Sequence, residues 1–214
     1  MMIENIKLIA QSAIRIKNQE NKIFYFDPFK LDEKYKNDAD YIFITHQHFD
    51  HFSPEDILKI KKEKTKIIAP KDLEIEIENL DFQRENILLV EPNKEYSIDE
   101  IKFNTVPAYN INKNFHKKEF NWVGYVAEID NEKIYVAGDT DNTEEARNVI
   151  CDIACVPIGG TYTMTYKEAV DLILAIKPKV AIPTHYKTIV GSEEDAQTFK
   201  ELLKNDVEVK ILMK

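Results

Sequence analysis

The sequence predicts a mixed α/β (α+β) fold in which two β-sheets carry helices on their outer faces. Two observations predict it. The first half of the 214 residues is dominated by short β-branched and aromatic runs broken by polar turns, and the second half alternates strand-like runs with capped, amphipathic helical segments. The length suits one domain over residues 1–214 with a core large enough to need no covalent staples.

The elements follow in order. Lys7–Ala10, Ala13–Lys17 and Lys22–Phe26 read as strands, the last ending at Asp27-Pro28, a breaker. Tyr41-Ile42-Phe43-Ile44 is a continuous apolar run, as expected for a strand buried on both faces. After the run Thr45–His51, Ser53 suits a helix N-cap, Pro54 the first helical position, and Glu55 and Asp56 the positive end of the helix dipole. Ile57, Leu58 and Ile60 supply its apolar stripe. Lys66–Ala69 and Ile87–Val90 are strands. Leu73 to Leu80 between them fits both periods, and the helical one is preferred.

Two hairpin-like pairs come next, Glu95–Ile98 with Ile101–Val106 and Val123–Ile129 with Lys133–Ala137. Thr143-Glu144-Glu145 opens a short helix, and Asp152–Pro157 is a strand. Thr165-Tyr166-Lys167-Glu168 is a capping box starting a helix with the stripe Ala169, Leu172, Ile173 and Ile176, which Pro178 ends. Val180–Ile182 is a strand, Ser192 caps the last helix, and Val207–Leu212 closes the chain as a strand. Only five glycines occur, and the adjacent pair Gly159-Gly160 marks a turn or a close backbone approach.

Composition narrows the function classes. Apolar residues make up 43% and charged residues 31%, an ordinary soluble balance, and no run of eighteen apolar residues indicates a membrane helix. The start Met1-Met2-Ile3-Glu4 does not read as a signal peptide, so a cytoplasmic location is expected. A net charge of −9 argues against a broad nucleic-acid face. Cys151 and Cys155, four apart in an extended run, are too distant for a disulfide and read as buried free thiols.

The chemistry concentrates in Thr45-His46-Gln47-His48-Phe49-Asp50-His51. His46, His48 and Asp50 share one parity in an extended segment, and His51 breaks it by a turn. Four ligands in six residues suit two neighbouring cations better than one, since a single zinc site is filled by three or four in total. The remaining two of the five histidines, His116 and His185, sit beside a turn or at a strand end. Asp139 follows the strand-like Ile134–Ala137 and Gly138. Strand ends are where sheets deliver functional groups to loops.

This run resembles the H-x-H-x-D-H signature of the metallo-β-lactamase superfamily. The other landmarks stand in order: Phe26-Asp27-Pro28 before the signature, His116 as the third motif, Gly138-Asp139-Thr140, and Pro183-Thr184-His185-Tyr186. His51-Phe52-Ser53, Val106–Asn110 and Pro157–Met164 resemble the branch related to ascorbate-6-phosphate lactonase, which also holds uncharacterised metal-dependent hydrolases. The resemblance implies an αββα four-layer sandwich. It implies one metal on His46, His48 and His116, a second on Asp50, His51 and His185, Asp139 bridging them, and Asp27 bracing the signature loop.

The implied cofactors are two divalent ions, zinc ranked first and manganese or iron behind it. The implied reaction is hydrolysis of a small ester, lactone or phosphoester by a hydroxide shared between the cations, with Asp50 as the catalytic residue that orients it and accepts its proton. A phosphodiesterase or nuclease is the alternative, although no clamp domain or exosite arm is evident. A diiron redox protein ranks lower because His48 stands where such proteins carry Glu, and a non-catalytic module would be expected to have lost ligands. The partner is a small-molecule substrate, with no membrane partner, and the lactonase branch implies homo-oligomers by analogy only. Tyr162, Lys113, Lys117 and Lys187 lie near the loops, but each reads first as an ordinary solvated lysine or half-buried tyrosine, so no substrate contact is assigned.

Overall fold

The computed structural model describes residues 2–213. The first sheet has six strands in sequence order: β1 (Ile6–Leu8), β2 (Ile14–Lys17), β3 (Ile23–Phe26), β4 (Tyr41–Phe43), β5 (Lys66–Pro70) and β6 (Ile87–Val90). The first three strands pair antiparallel, and β3 to β6 run parallel. The second sheet has seven strands, namely β7 (Glu95–Ile98), β8 (Ile101–Pro107), β9 (Val123–Ile129), β10 (Glu132–Val136), β11 (Ile153–Pro157), β12 (Val180–Thr184) and β13 (Glu208–Val209). Its antiparallel half, β7 to β10, joins a parallel half, β10 to β13.

Strand alternation builds two separate interiors. Phe24 and Phe26 of β3 face the second sheet and share a cluster with Phe43, Phe103 and Tyr125. The intervening Ile23 and Tyr25 face the other way, into a cluster with Ile57 and Ile60 of α1 (Pro54–Ile60) and Ile77 of α2 (Glu74–Glu78). On the far side of the second sheet, α4 (Tyr166–Ile176) and α5 (Glu193–Leu203) bury Ala169, Leu172, Ile173, Ala196, Phe199 and Leu203, with α3 (Glu144–Arg147) beside α4. The order is therefore helices, sheet, sheet, helices, the four-layer sandwich.

The helix signals are realised locally. Ser53 accepts the Asp56 N–H with Pro54 at the first position, and Thr143 accepts the Ala146 N–H. Thr165 with Glu168, and Ser192 with Asp195, each close a capping box. The ambiguous stretch is helical, a 3₁₀ turn at Lys71–Leu73 leading into α2.

Three expectations need correction. Leu58 is half exposed and lies outside the stripe, because Ile57 and Ile60 already cover the sheet. The final strand is two residues long rather than Val207–Leu212, because its pairing with β12 stops at Ala181. Cys151 is only half-buried, just ahead of β11, while Cys155 is buried within it, and both thiols are free. No helix among the described residues is long and apolar enough to cross a membrane.

Candidate metal centre

The parallel strands β3 and β4 end side by side, as do β10, β11 and β12, so the segments after them gather at one edge of the sandwich. From β4 the chain enters Ile44-Thr45-His46. Asp27, after β3, takes the Thr45 N–H at 2.8 Å and the Thr45 hydroxyl at 2.7 Å, and lies 2.7 Å from His51 Nδ1. Asp27 is completely buried and holds a left-handed backbone, φ 48°. Its carboxylate faces Nδ1, so that nitrogen carries the proton and Nε2 is left for the interior of the loop. Burial pushes the Asp27 carboxyl up, against the pull of His51 and Thr45. The His51 and Phe52 N–H groups both donate to the His48 carbonyl, at 2.9 and 2.7 Å. That turn lets His51 break the alternation of His46, His48 and Asp50.

His46, His48, His116 and Asp139 form one group of converging side chains, and Asp50, His51 and His185 form another, the donor atoms in each lying within 4.8 Å of one another. In the first, His46 Nε2 is 3.0 Å from His48 Nδ1, which is 3.1 Å from His116 Nε2, which is 3.2 Å from Asp139 Oδ2. In the second, Asp50 Oδ2 is 3.5 Å from His185 Nε2 and 3.7 Å from His51 Nε2. Asp139 stands between the groups: Oδ2 is 3.1 Å from His185 Nε2 and Oδ1 is 3.3 Å from His51 Nε2. Every predicted site residue thus lies in one cluster, with Asp27 directly behind it.

The arrangement fits two cations. Donors on a tetrahedral zinc with ordinary ~2.0–2.1 Å bonds stand about 3.3–3.4 Å apart, close to the spacings found in both groups. His51 Nε2 and Asp139 Oδ1, 3.3 Å apart, are buried, and among the described residues neither completes a well-formed hydrogen bond. Leaving such atoms unpaired costs on the order of 1–3 kcal/mol each, a cost that coordination would remove.

Electrostatics separates the imidazoles. Burial and the neighbouring His51 hold His46 well below the ordinary imidazole range. Burial also lowers His185, but Asp139 and Asp50 outweigh it and raise it to about 9. Asp139 is driven well below the carboxylate range, His185 and His51 overcoming its burial. In the metal-free chain His185 is therefore protonated at neutral pH. Its pairing contributes stability that is fully present below the unfolded imidazole pKa and is lost as pH rises through about 9. A cation held by His185 Nε2 would displace that proton. Loading metal-free protein at pH 7.5 is expected to release at least one proton per chain, read by calorimetry in buffers of differing ionisation enthalpy. Uptake without proton release would contradict His185 as a ligand.

Several neighbours were not singled out from the sequence. Trp122, the only tryptophan, packs its ring 4.8 Å from His46 and 4.9 Å from His48 and donates to Asp72 at 2.7 Å. Its rarity was the one available signal. Asn110 Nδ2 lies 3.2 Å from His116 Nδ1 and donates to the Tyr162 carbonyl at 2.7 Å. Gln11, from the loop between β1 and β2, donates to Asp50 Oδ2 at 3.1 Å. Nothing in Ile9-Ala10-Gln11-Ser12-Ala13 signals that contact, because it spans 39 residues. Lys113 is paired with Asp141, Lys187 with Glu193 at 2.9 Å, and Lys117 faces Glu119 at 3.8 Å.

Residues 5–185 match the family model described as the Beta-lactamase superfamily domain. A UPF0173 metal-dependent hydrolase of Thermococcus onnurineus is 36% identical over 183 residues, covering 82% of this chain and 79% of the relative. Among solved structures, a chain from Parabacteroides distasonis superposes with a TM-score of 0.85 at 27% identity, over 98% of this chain and 93% of the other. Igni18, a metallo hydrolase of Ignicoccus hospitalis, shares the fold with a TM-score of 0.81 at 20% identity, over 97% and 94%. With its four layers, its two His/Asp groups and these similarities, the chain belongs to the metallo-β-lactamase superfamily, in the UPF0173-like branch of metal-dependent hydrolases.

Proposed function

We propose that this enzyme hydrolyses a small, uncharged ester or lactone at the edge of the sandwich where the two groups meet. The observation that carries the reading is the position of Asp139 between three imidazoles on one side and two imidazoles and a carboxylate on the other. His46, His48 and His116 would hold one cation, Asp50, His51 and His185 the other, and Asp139 would contact both. Two divalent cations so placed would supply an activated water near neutral pH and polarise the carbonyl under attack.

The chain's own groups do the rest. In the metal-free chain burial would raise Asp50, but His185 and His51 pull its carboxyl below the ordinary range. In the loaded centre the second cation would keep it ionised, and it is placed to orient the attacking water and take its proton. Asp50 is only slightly exposed and His48 is the half-buried ligand, so substrate approaches over these two side chains. Phe49 between them is 69% exposed and packs on Phe29. Phe115, beside His116, packs on Tyr162, and Phe120 packs on Trp122. An apolar rim, with Lys113, Lys117 and Lys187 already facing carboxylates, supports an uncharged substrate over a phosphoester or nucleic acid. Mixed imidazole and carboxylate donors suit zinc, with manganese and iron behind it.

The test is removal of metal with a chelator, reloading with zinc, manganese or iron separately, and assay of p-nitrophenyl butyrate, a small lactone, bis-p-nitrophenyl phosphate and a thioester. Activity is expected to vanish on chelation and to return on reloading, with ester or lactone turned over faster than the phosphodiester. Turnover that survives exhaustive metal removal would refute the reading, and a preference for the phosphodiester would reverse the substrate assignment.

A further inference from the structure

Gln11 is a polar side chain that enters the centre without a ligand or proton-transfer role in the hydrolysis proposed above. It is fully buried, and its backbone sits at φ 50°, a left-handed conformation uncommon outside glycine, asparagine and aspartate. The loop that carries it is tightly closed, with Ile9 N–H donating to the Ala13 carbonyl at 2.8 Å and Ala13 N–H to the Ala10 carbonyl at 2.7 Å. Two contacts tie Gln11 to the centre: its Nε2 donates to Asp50 Oδ2 at 3.1 Å and its carbonyl accepts the His185 N–H at 2.9 Å. Outside the centre, its own N–H donates to the Thr188 hydroxyl at 3.3 Å. The amide orientation follows from the partner: Oε1 in place of Nε2 would face a carboxylate oxygen. Oε1 is buried without a protein hydrogen bond.

A strained backbone and a half-satisfied buried amide persist only where the surroundings demand them. The demand here comes from Asp50 and His185, two of the three side chains in the second group. We propose that Gln11 is the positioning residue of that group. Its amide fixes the rotation of the Asp50 carboxylate and its carbonyl fixes the backbone of His185, so that both donors converge with His51. The proposal rests on the two-cation reading above, and its occupant is the divalent ion itself.

The test is titration of cobalt(II) into metal-free wild type, Gln11→Met and Gln11→Asn, followed by visible absorption. Asparagine tolerates the left-handed backbone but is too short to reach Asp50, so it guards against a variant that merely fails to fold. Wild type is expected to take up two equivalents. Both variants should bind the first as wild type does and the second about 10–100-fold more weakly, with altered cobalt bands for the second equivalent only. Thr188→Val, which removes a main-chain contact of Gln11 and leaves its amide in place, should keep the wild-type second equivalent. A second equivalent bound by Gln11→Asn as tightly as by wild type overturns the proposal alone. So does a loss as large in Thr188→Val, which would make the loop and not the amide responsible. A wild type that takes up a single equivalent overturns the two-cation reading and this proposal with it.

Discussion

Asp139→Asn is expected to reduce the metal content from two ions per chain to one or fewer and to lower hydrolysis on the order of 10³-fold. The carboxylate lies within 3.3 Å of His51, His116 and His185 and 3.9 Å from His46. An amide keeps the shape but loses the charge and one of the two acceptor oxygens. Asp27 still holds Thr45 and His51 from behind, so the variant should fold. The check is elemental metal analysis of purified protein alongside turnover of the best ester or lactone. Two ions per chain with undiminished turnover would remove Asp139 from the bridging position.

Gly159→Ala is expected to damage both stability and the second metal group. A Cβ at this position would meet the His185 carbonyl at 2.3 Å and Val190 Cγ2 at 2.7 Å. The first contact is backbone, so relief requires moving either the turn after β11 or the segment that carries His185. Overpacking of this kind costs roughly 1–3 kcal/mol. For a chain of this size that is a fall in Tm of about 2–4 °C per kcal/mol. The displacement reaches His185 Nδ1, 3.2 Å from the added atom, so one ion should be lost or bind more weakly. Thermal unfolding and metal analysis read the two effects separately. A variant with unchanged Tm and two ions would show that the close approach carries no constraint.

Most of the element order was legible because the local chemistry was strong. Ser53-Pro54, Thr143, Thr165 with Glu168 and Ser192 all mark helix starts that the structure realises. Tyr41–Ile44 read as buried on both faces, and β4 lies between the inner and outer clusters. What misled were features set by neighbours. Leu58 has helical spacing but no surface left to cover, and Val207–Leu212 has strand composition but only two residues of partner. The spacing of His46, His48, Asp50 and His51 signalled a metal run, and scarcity drew in His116 and His185. Gln11 and Trp122 carry no comparable signal, because their contacts to the centre are made across long stretches of chain, and Asn110, close to His116 in the chain, is one asparagine among many.

The amino-acid sequence by itself determined the helix starts, the alternation of the strands, and the list of imidazoles and carboxylates at strand ends, because each follows from short-range periodicity and residue chemistry. Only the tertiary structure decided that Asp139 stands between two groups of donors, that Gly159 must be bare to let His185 in, and that Gln11 reaches Asp50. Those facts depend on the order in which two sheets pair and the depth at which they pack, which are sums over many weak contacts and leave no mark on any one stretch of chain.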